Sequence, residues 1–513
     1  MAESIAKSYD EIPYQGGPFR RSRPRHLATL GALLGLTTPD VDCCRVLELG
    51  CAEGGNLIPL AAADPESRFL GIDFSDRQIA VGREMIERLR LTNIELKRAD
   101  ILEIDDSLGT FDYIIAHGVY SWVPQNVRDK VLSVCRKNLN PNGIAYISYN
   151  TFPGGRLRQV VRDMMLYHVR DRRDAGASVT EARELLDFVV DSVPENQPAY
   201  RTVLEWERRH VAPFADHHVR HDSLSEVNDP CYFYEFMEHA AGHRLQYLAD
   251  ADFSTMLPRN FPPAVFDRLK RMSRSVVEIE QYMDFLRNRS FRETLLCHAE
   301  ARIDRAVSPV RIRSFYVGSS LKPVDSPVDL SSANEVTFRN PDGGEVKVHR
   351  PLSKAALLVL GEIWPRNLRF DEIIAGAQKR LANTGGAHGI SSADIDGTAA
   401  ALLESFAAGL IEFDVRPTNC AGDPGECPTV PALNRLEAIA GDTVTNRRHE
   451  QIRLDPLQRA IVPHLNGRTR RGGLIADLEA QSESSSRIQP KQLEDALRAL
   501  AGAAILIDAG ESV

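Results

Sequence analysis

Residues 45–56, RVLELGCAEGGN, constrain this chain more than any other stretch. Val46-Leu47-Glu48-Leu49 reads as a buried strand, because a nearly unbroken apolar run suits a parallel sheet covered on both faces. Gly50 to Asn56 then makes a tight loop, and a helix begins at Leu57. Such a loop presents free backbone N–H groups to a ligand at the helix start. Glycines at 50 and 54 keep side chains out of a ligand's way and tolerate positive φ. Alone, the loop commits the chain to an α/β sheet and to no particular ligand.

Three acids narrow the choice. Glu48 stands two residues before Gly50. A second strand over 69–72 ends at Asp73, followed by Phe74. That is about the 20-residue offset of an acid that grips ribose hydroxyls. A third strand over 94–97 leads to Asp100 and Ile101. A dinucleotide enzyme needs only the loop and the ribose acid. The acid before the glycines and the acid after the third strand make the set similar to the S-adenosylmethionine site of class I methyltransferases. The resemblance implies that Asp100 and Ile101 meet the adenine and that the loop, Gly50, Cys51, Ala52, Gly54 and Asn56, takes the methionine end. The usual Gly-x-Gly-x-Gly reads Gly50-x-Ala52-x-Gly54, so residue 52 is expected to keep φ below zero.

Length and composition bound the rest. A chain of 513 residues holds about two to four domains. A net charge of −9 argues against nucleic acid as partner. The basic clusters at 20–25 and 468–471 read as solvated surface. No run of 18 apolar residues is present, so no membrane insertion is expected. The first residues do not read as a signal peptide, and the eight scattered cysteines fit free thiols in a cytoplasmic setting. Cys420 and Cys427 lack a second pair. His217, His218, His221 and Asp222 read as solvent-facing. No metal site is expected.

In chain order, residues 8–19 form an arm carrying Tyr9 and Tyr14, which either packs on the surface or closes over the cofactor. A helix over 26–36 leads to the first strand. A fourth strand over 111–116 empties into 117–124, with His117, Tyr120 and Trp122. A turn over 140–143 precedes a fifth strand over 144–149, which ends at Asn150. Strands alternating with helices predict a doubly wound sheet with its ligands at the strands' carboxyl ends. Residues 1–155 are thus the arm and cofactor core, and 156–224 a helical insertion serving as lid or dimer contact. Residues 225–305 are expected to supply the last strands, with 292–298 antiparallel between the fifth and sixth. A fragment ending near 310 should then fold and bind cofactor, whereas one ending near 225 should not. Residues 306–415 read as a hairpin plus a winged-helix-like domain, 416–450 as a loop-rich linker, and 451–513 as a second winged-helix-like module. No basic recognition helix is evident, which favours protein contact.

The segments SYDEIPYQGGPF (8–19), LELGCAEGGN (47–56), FDYIIAHGVYSWVP (111–124), SYNTFPGG (148–155) and VNDPCYFYEF (227–236) resemble bacterial class I methyltransferases with a methyltransferase regulatory domain. Rickettsial protein lysine methyltransferases are among them. One departure is Ser22-Arg23-Pro24-Arg25, where relatives carry Thr-His-Pro-Asp. The resemblance implies a seven-stranded Rossmann-like sheet, S-adenosylmethionine as cofactor, a helical dimerisation segment and a lysine of a protein substrate as acceptor. The alternatives are a small-molecule methyltransferase and a catalytically weak cofactor sensor. A sulfonium is favoured near aromatic faces, which makes Tyr9, Tyr14, Tyr120 and Trp122 candidates to line the site. Tyr149 and Asn150, at the fifth strand's mouth, are candidates to orient a neutral amine. His117 is either a cofactor-shell residue or a base.

Overall fold

The computed structural model describes residues 16–172, 174–383, 389–481 and 489–508. Tyr9 and Tyr14 lie outside the described residues. Two compact units are present: 38–252 and 258–301, with residues 16 and 17, form the first; 18–37, 253–257 and the described residues from 302 onward form the second.

The first unit is built on seven strands: β1 (Arg45–Leu49), β2 (Arg68–Asp73), β3 (Ile94–Arg98), β4 (Phe111–Ala116), β5 (Leu139–Asn150), β6 (Leu245–Asp250) and β7 (Phe291–His298). Their order is β3-β2-β1-β4-β5-β7-β6. β1 to β5 run parallel, and β7 lies antiparallel to both β5 and β6. β7 therefore sits where the strand count places it, with Leu295, Leu296 and Cys297 fully buried. Residues 140–143 do not form a separate turn. They are part of β5, whose pairing with β4 shifts between Phe111 and Tyr113. Gly143 permits this, since a Cβ there would lie 2.7 Å from the Asp112 carbonyl oxygen.

Between β5 and β6 the helices Gly154–Val169, Ala175–Ser192 and Pro198–Val211 make a small core of their own around Val161, Met165, Val179, Leu186 and Leu204. Between β6 and β7 run the helices Pro263–Met272 and Val276–Arg287. A buried ion cluster ties the latter helix to the sheet. Arg292 donates to both Asp284 oxygens at 2.8 Å and to Glu280 Oε2 at 2.9 Å, and Arg289 donates to Asp250 Oδ2 at 2.7 Å. Charges taken from water are tolerated only when partnered in this way.

The second unit contains the helix Pro24–Leu33, which starts two residues earlier and ends sooner than its apolar pattern predicts. The basic cluster ahead of it is not solvated surface. Arg20 pairs with Glu412 and Glu450, and Arg25 with Asp414 at 3.1 Å. Leu27, Leu30 and Leu33 are buried in this unit, so a fragment ending near 310 would strip them of their packing. Tyr316–Gly318 forms the middle of a three-stranded sheet between Leu368–Arg369 and Glu412–Asp414. Residues 416–450, expected to be loop-rich, include the helix Ala432–Ala440 and the strand Thr443–Thr445. Val430, Ala438 and Val444 share one core with Ile461, Leu474 and Leu497. Ile507 joins Thr429 through a single antiparallel bridge. Among the described residues no helix is long and apolar enough to cross a membrane.

Candidate active site

The carboxyl ends of β1, β2 and β3 form one half of the site. β1 delivers Glu48, and the chain reverses through Gly50 at φ 73° and Gly54 at φ 81°. A Cβ on Gly50 would lie 2.6 Å from Val119 Cγ2, so both conformation and space require glycine. Ala52 departs from expectation: its φ is +49°. An L-residue in that region costs about 1–2 kcal/mol. Its N–H donates to Asp73 Oδ2 at 2.9 Å, and Ser75 N–H donates to Asp73 Oδ1 at 2.9 Å. Asp73 thus braces the loop whose ligand it is expected to share.

Glu48 is buried, with Oε1 accepting from Asn56 Nδ2 at 3.0 Å and Oε2 left without a hydrogen-bond partner. Burial pushes its carboxyl up to about 8, the Asn56 amide pulls the other way, and the negative charges of Asp73 and Glu53 add to the rise. Glu53 accepts from Gly16 N–H at 2.7 Å, and its Oε2 also lacks a partner. Gly55 packs so closely on Gly16 that a Cβ would lie 2.7 Å from its carbonyl carbon. The end of the arm therefore lies on the loop. Cys51 is buried and burial raises its thiol far above its ordinary range, so it stays protonated. Asp100 caps Leu102 N–H at 2.9 Å, Ile101 is half-buried against the core, and Phe74 lies beneath the Arg98 guanidinium at 4.8 Å.

This donor set fits a cationic ligand. Carboxyl groups of Glu48, Glu53 and Asp73 lie close enough to feel one another, and unpartnered buried oxygens on Glu48 and Glu53 await an N–H donor. An amino group and a sulfonium suit such a field. A dinucleotide's two phosphates do not.

The ends of β4 and β5 form the other half. His117 Nδ1 lies 2.9 Å from Tyr146 OH, which donates to Glu293 Oε1 at 2.6 Å. With its proton committed to Glu293, the tyrosine oxygen accepts from Nδ1–H. Burial lowers the His117 imidazole to about 3, so it is neutral at physiological pH. Tyr120 is buried, its hydroxyl 2.7 Å from His239 Nδ1. Tyr149 does not reach the strand's mouth. Its ring stacks on Phe236 at 4.2 Å, and its hydroxyl meets Thr294 Oγ1 at 2.9 Å. Strand alternation turns its neighbour the other way: Asn150 lines a cavity of about 60 Å³ together with Trp122, Asn228, Arg158, Glu207 and Asp222. Asn150 Nδ2 donates to Asn228 Oδ1 at 3.0 Å. Glu207 lies buried on the helix Pro198–Val211, 3.7 Å from Arg158, with Oε2 unpartnered. Burial raises both Glu207 and Asp222.

Sequence reasoning missed Glu207 and Asn228 as lining residues, and missed the packing glycines Gly71 and Gly82. Asn228 falls inside the quoted segment 227–236. Glu207 sits mid-helix among other charges and carries no local signal. The cluster at 217–222 is not a three-ligand group: among the described residues that arrangement belongs to Asp129, His239 and His243.

Comparison with known proteins agrees along the chain. A methyltransferase-domain model matches residues 40–201, a model described as "Predicted methyltransferase regulatory domain" matches 215–298, and one described as "PKMT, C-terminal winged helix domain" matches 426–504. The uncharacterized protein RP789 of Rickettsia prowazekii (strain Madrid E) is 44% identical over 382 residues, covering 73% of this chain and 69% of that protein. RP028 of the same organism is 41% identical over 233 residues, 45% of this chain and 93% of its own. The solved structure of PKMT2 from Rickettsia typhi has a TM-score of 0.85 at 29% identity, covering 97% of this chain and all of that one, and the same values hold for its complex with AdoHcy. AdoHcy is what S-adenosylmethionine becomes on losing its methyl group. The sheet order, the acid-lined glycine loop and these likenesses place the chain in the family of class I S-adenosylmethionine-dependent methyltransferases that carry a methyltransferase regulatory domain.

Proposed function

We propose that this methyltransferase acts on lysine side chains of a protein substrate. The observation that carries the reading is the full-length likeness to a PKMT, a protein lysine methyltransferase, at TM-score 0.85. The cavity beside Asn150 supports it. Trp122 offers an aromatic wall that disfavours a desolvated ammonium, and Asn150 Oδ1 offers an acceptor that orients a neutral amine. Glu207 Oε2, which has no hydrogen-bond partner, offers the amine a second acceptor.

The cofactor supplies an electrophilic methyl on a sulfonium. Glu48 Oε2 receives its amino group, and Gly50, Cys51, Ala52 and Gly54 shape the loop around the methionine end, with Asn56 steadying Glu48. Asp73 takes ribose hydroxyls, and Phe74, Asp100 and Ile101 flank the adenine. His117 is a neutral shell residue. Tyr120 and Tyr149 support the site from the core rather than touching the amine.

The roles divide along the chain. Residues up to 155 carry the cofactor core and one wall of the acceptor cavity, 156–224 another wall and a dimer contact, 225–305 the closing strands, and the region beyond 306 the substrate-protein contacts. Val160, Tyr167, Phe188 and Trp206, exposed on the insertion, are the dimer surface. All eight cysteines are free, in keeping with a cytoplasmic enzyme.

Incubation with radiolabelled cofactor and bacterial lysate tests the reading. Label should enter protein, and peptides with free lysine should accept it where acetylated ones do not. Label confined to small molecules would overturn it.

A further inference from the structure

We propose that Asp129, His239 and His243 form a binding site for a divalent transition-metal ion, zinc by preference. The three lie outside the cofactor loop and the acceptor cavity. Asp129 is on the helix Gln125–Lys137, which follows β4; His239 is on the helix Phe233–Gly242, and His243 caps its end. A four-residue spacing sets both imidazoles on one helix face. Their Nε2 atoms converge on the same carboxylate oxygen, Asp129 Oδ1, at 3.4 Å from His239 and 3.1 Å from His243. All three ligand atoms lie within 4.8 Å of one another. Zinc bonds of about 2.0–2.1 Å in a tetrahedron hold ligand atoms about 3.3 Å apart. Two edges already have about that length, and the third is no longer than 4.8 Å.

The surroundings supply a second, independent feature. A metal-bound histidine holds its other ring nitrogen in a hydrogen bond, which fixes the tautomer and aims the lone pair. His239 Nδ1 makes such a bond, 2.7 Å from Tyr120 OH. Tyr120 is itself immobile, wedged edge-on against Phe236 at 5.0 Å and beside Tyr149. Two imidazoles and one carboxylate, open to solvent on the Asp129 side, leave a fourth position for water or a further donor. Two nitrogens and one oxygen suit zinc better than magnesium or calcium, which take oxygen sets.

The placement gives the ion a task. It joins a helix of the cofactor core to a helix of the region 215–298. Through His239 it also holds Tyr120, which shares a single turn, Tyr120–Trp122, with the cavity residue Trp122. The site is thus a positioning device for the acceptor side.

Untagged full-length protein, stripped with chelator, is titrated with zinc chloride by calorimetry and with cobalt(II) by visible absorption. One ion per chain should bind at micromolar or tighter affinity, with cobalt bands of tetrahedral intensity, and zinc should raise the melting temperature. Asp129→Asn and His243→Ala, both at the surface end of the cluster, should each weaken zinc at least tenfold while the metal-free melting temperature stays near wild type. Tyr120→Phe should weaken it about tenfold through the lost outer hydrogen bond. Two results would overturn the site. One is the absence of zinc binding to the wild-type chain. The other is a His239→Ala/His243→Ala double variant that is folded by circular dichroism and binds zinc as the wild type does.

Discussion

The two halves of the site are built by different means. The cofactor half comes from consecutive strand ends between Glu48 and Ile101, with its shape set by backbone at Gly50, Ala52 and Gly54. The proposed acceptor half gathers Trp122, Asn150, Arg158, Glu207, Asp222 and Asn228 from two strand ends, an insertion and the segment that returns from it. The first is a local motif that any chemistry using this cofactor can share. The second is assembled by long-range packing, where a change in substrate would be written. The contrast predicts that mutations should separate cofactor affinity from acceptor recognition unless they strike the frame common to both.

Arg292→Leu strikes that frame and has the largest expected effect. It leaves Asp284 and Glu280 buried without their close partner, while Asp250 keeps Arg289, a loss of about 3–5 kcal/mol. Denaturant titration should show the drop, and cofactor and acceptor binding should fall together. A midpoint near wild type would mean that the ion cluster does not fasten β7.

Asp73→Ala should separate the halves from one side. Losing charge-assisted hydrogen bonds weakens cofactor binding by about 1.5–3 kcal/mol. Calorimetry reads the change, while KM for a lysine peptide at saturating cofactor stays put. Unchanged cofactor affinity would remove Asp73 from the site.

Glu207→Gln should separate them from the other side. The peptide KM should rise about tenfold, equivalent to about 1.4 kcal/mol, with cofactor affinity unaltered. An unchanged KM would show that the amine enters elsewhere.

Glu48→Gln gives the sharpest sign. The folded chain holds this carboxyl up to about 8 from an ordinary 4.5. The folded state then keeps a proton that the unfolded state has released. The group's contribution to stability is full below the lower value and is lost as pH rises through the upper one. Melting temperatures across that window should fall with pH in the wild type and stay flatter in the variant. Parallel curves would mean that Glu48 ionises normally when buried.

The same contrast explains what the sequence made legible. Strand runs between 45 and 101 made β1 to β3 legible, and counting strands placed β7 between the fifth and sixth. Partners far along the chain carried no such signal. Arg20 and Arg25 looked solvated because their acids lie near residues 412–450. The helix Ala432–Ala440 was hidden behind the Gly- and Pro-rich 417–431. Tyr149 was expected at the mouth, although strand alternation sends only one of residues 149 and 150 there. The positive φ at Ala52 was invisible because its cause, the bond to Asp73, appears only once β2 lies beside β1.

Residues 18–37 belong to the unit that otherwise begins in earnest at 302. Arg25 and its partner Asp414 are 389 positions apart, so the helix Pro24–Leu33 trails as an unburied amphipathic stub while the sheet is synthesised and closed. The second unit cannot be completed until both ends of that span are present. A chain cut within that span would leave Leu27, Leu30 and Leu33 without the cover they have in the intact unit.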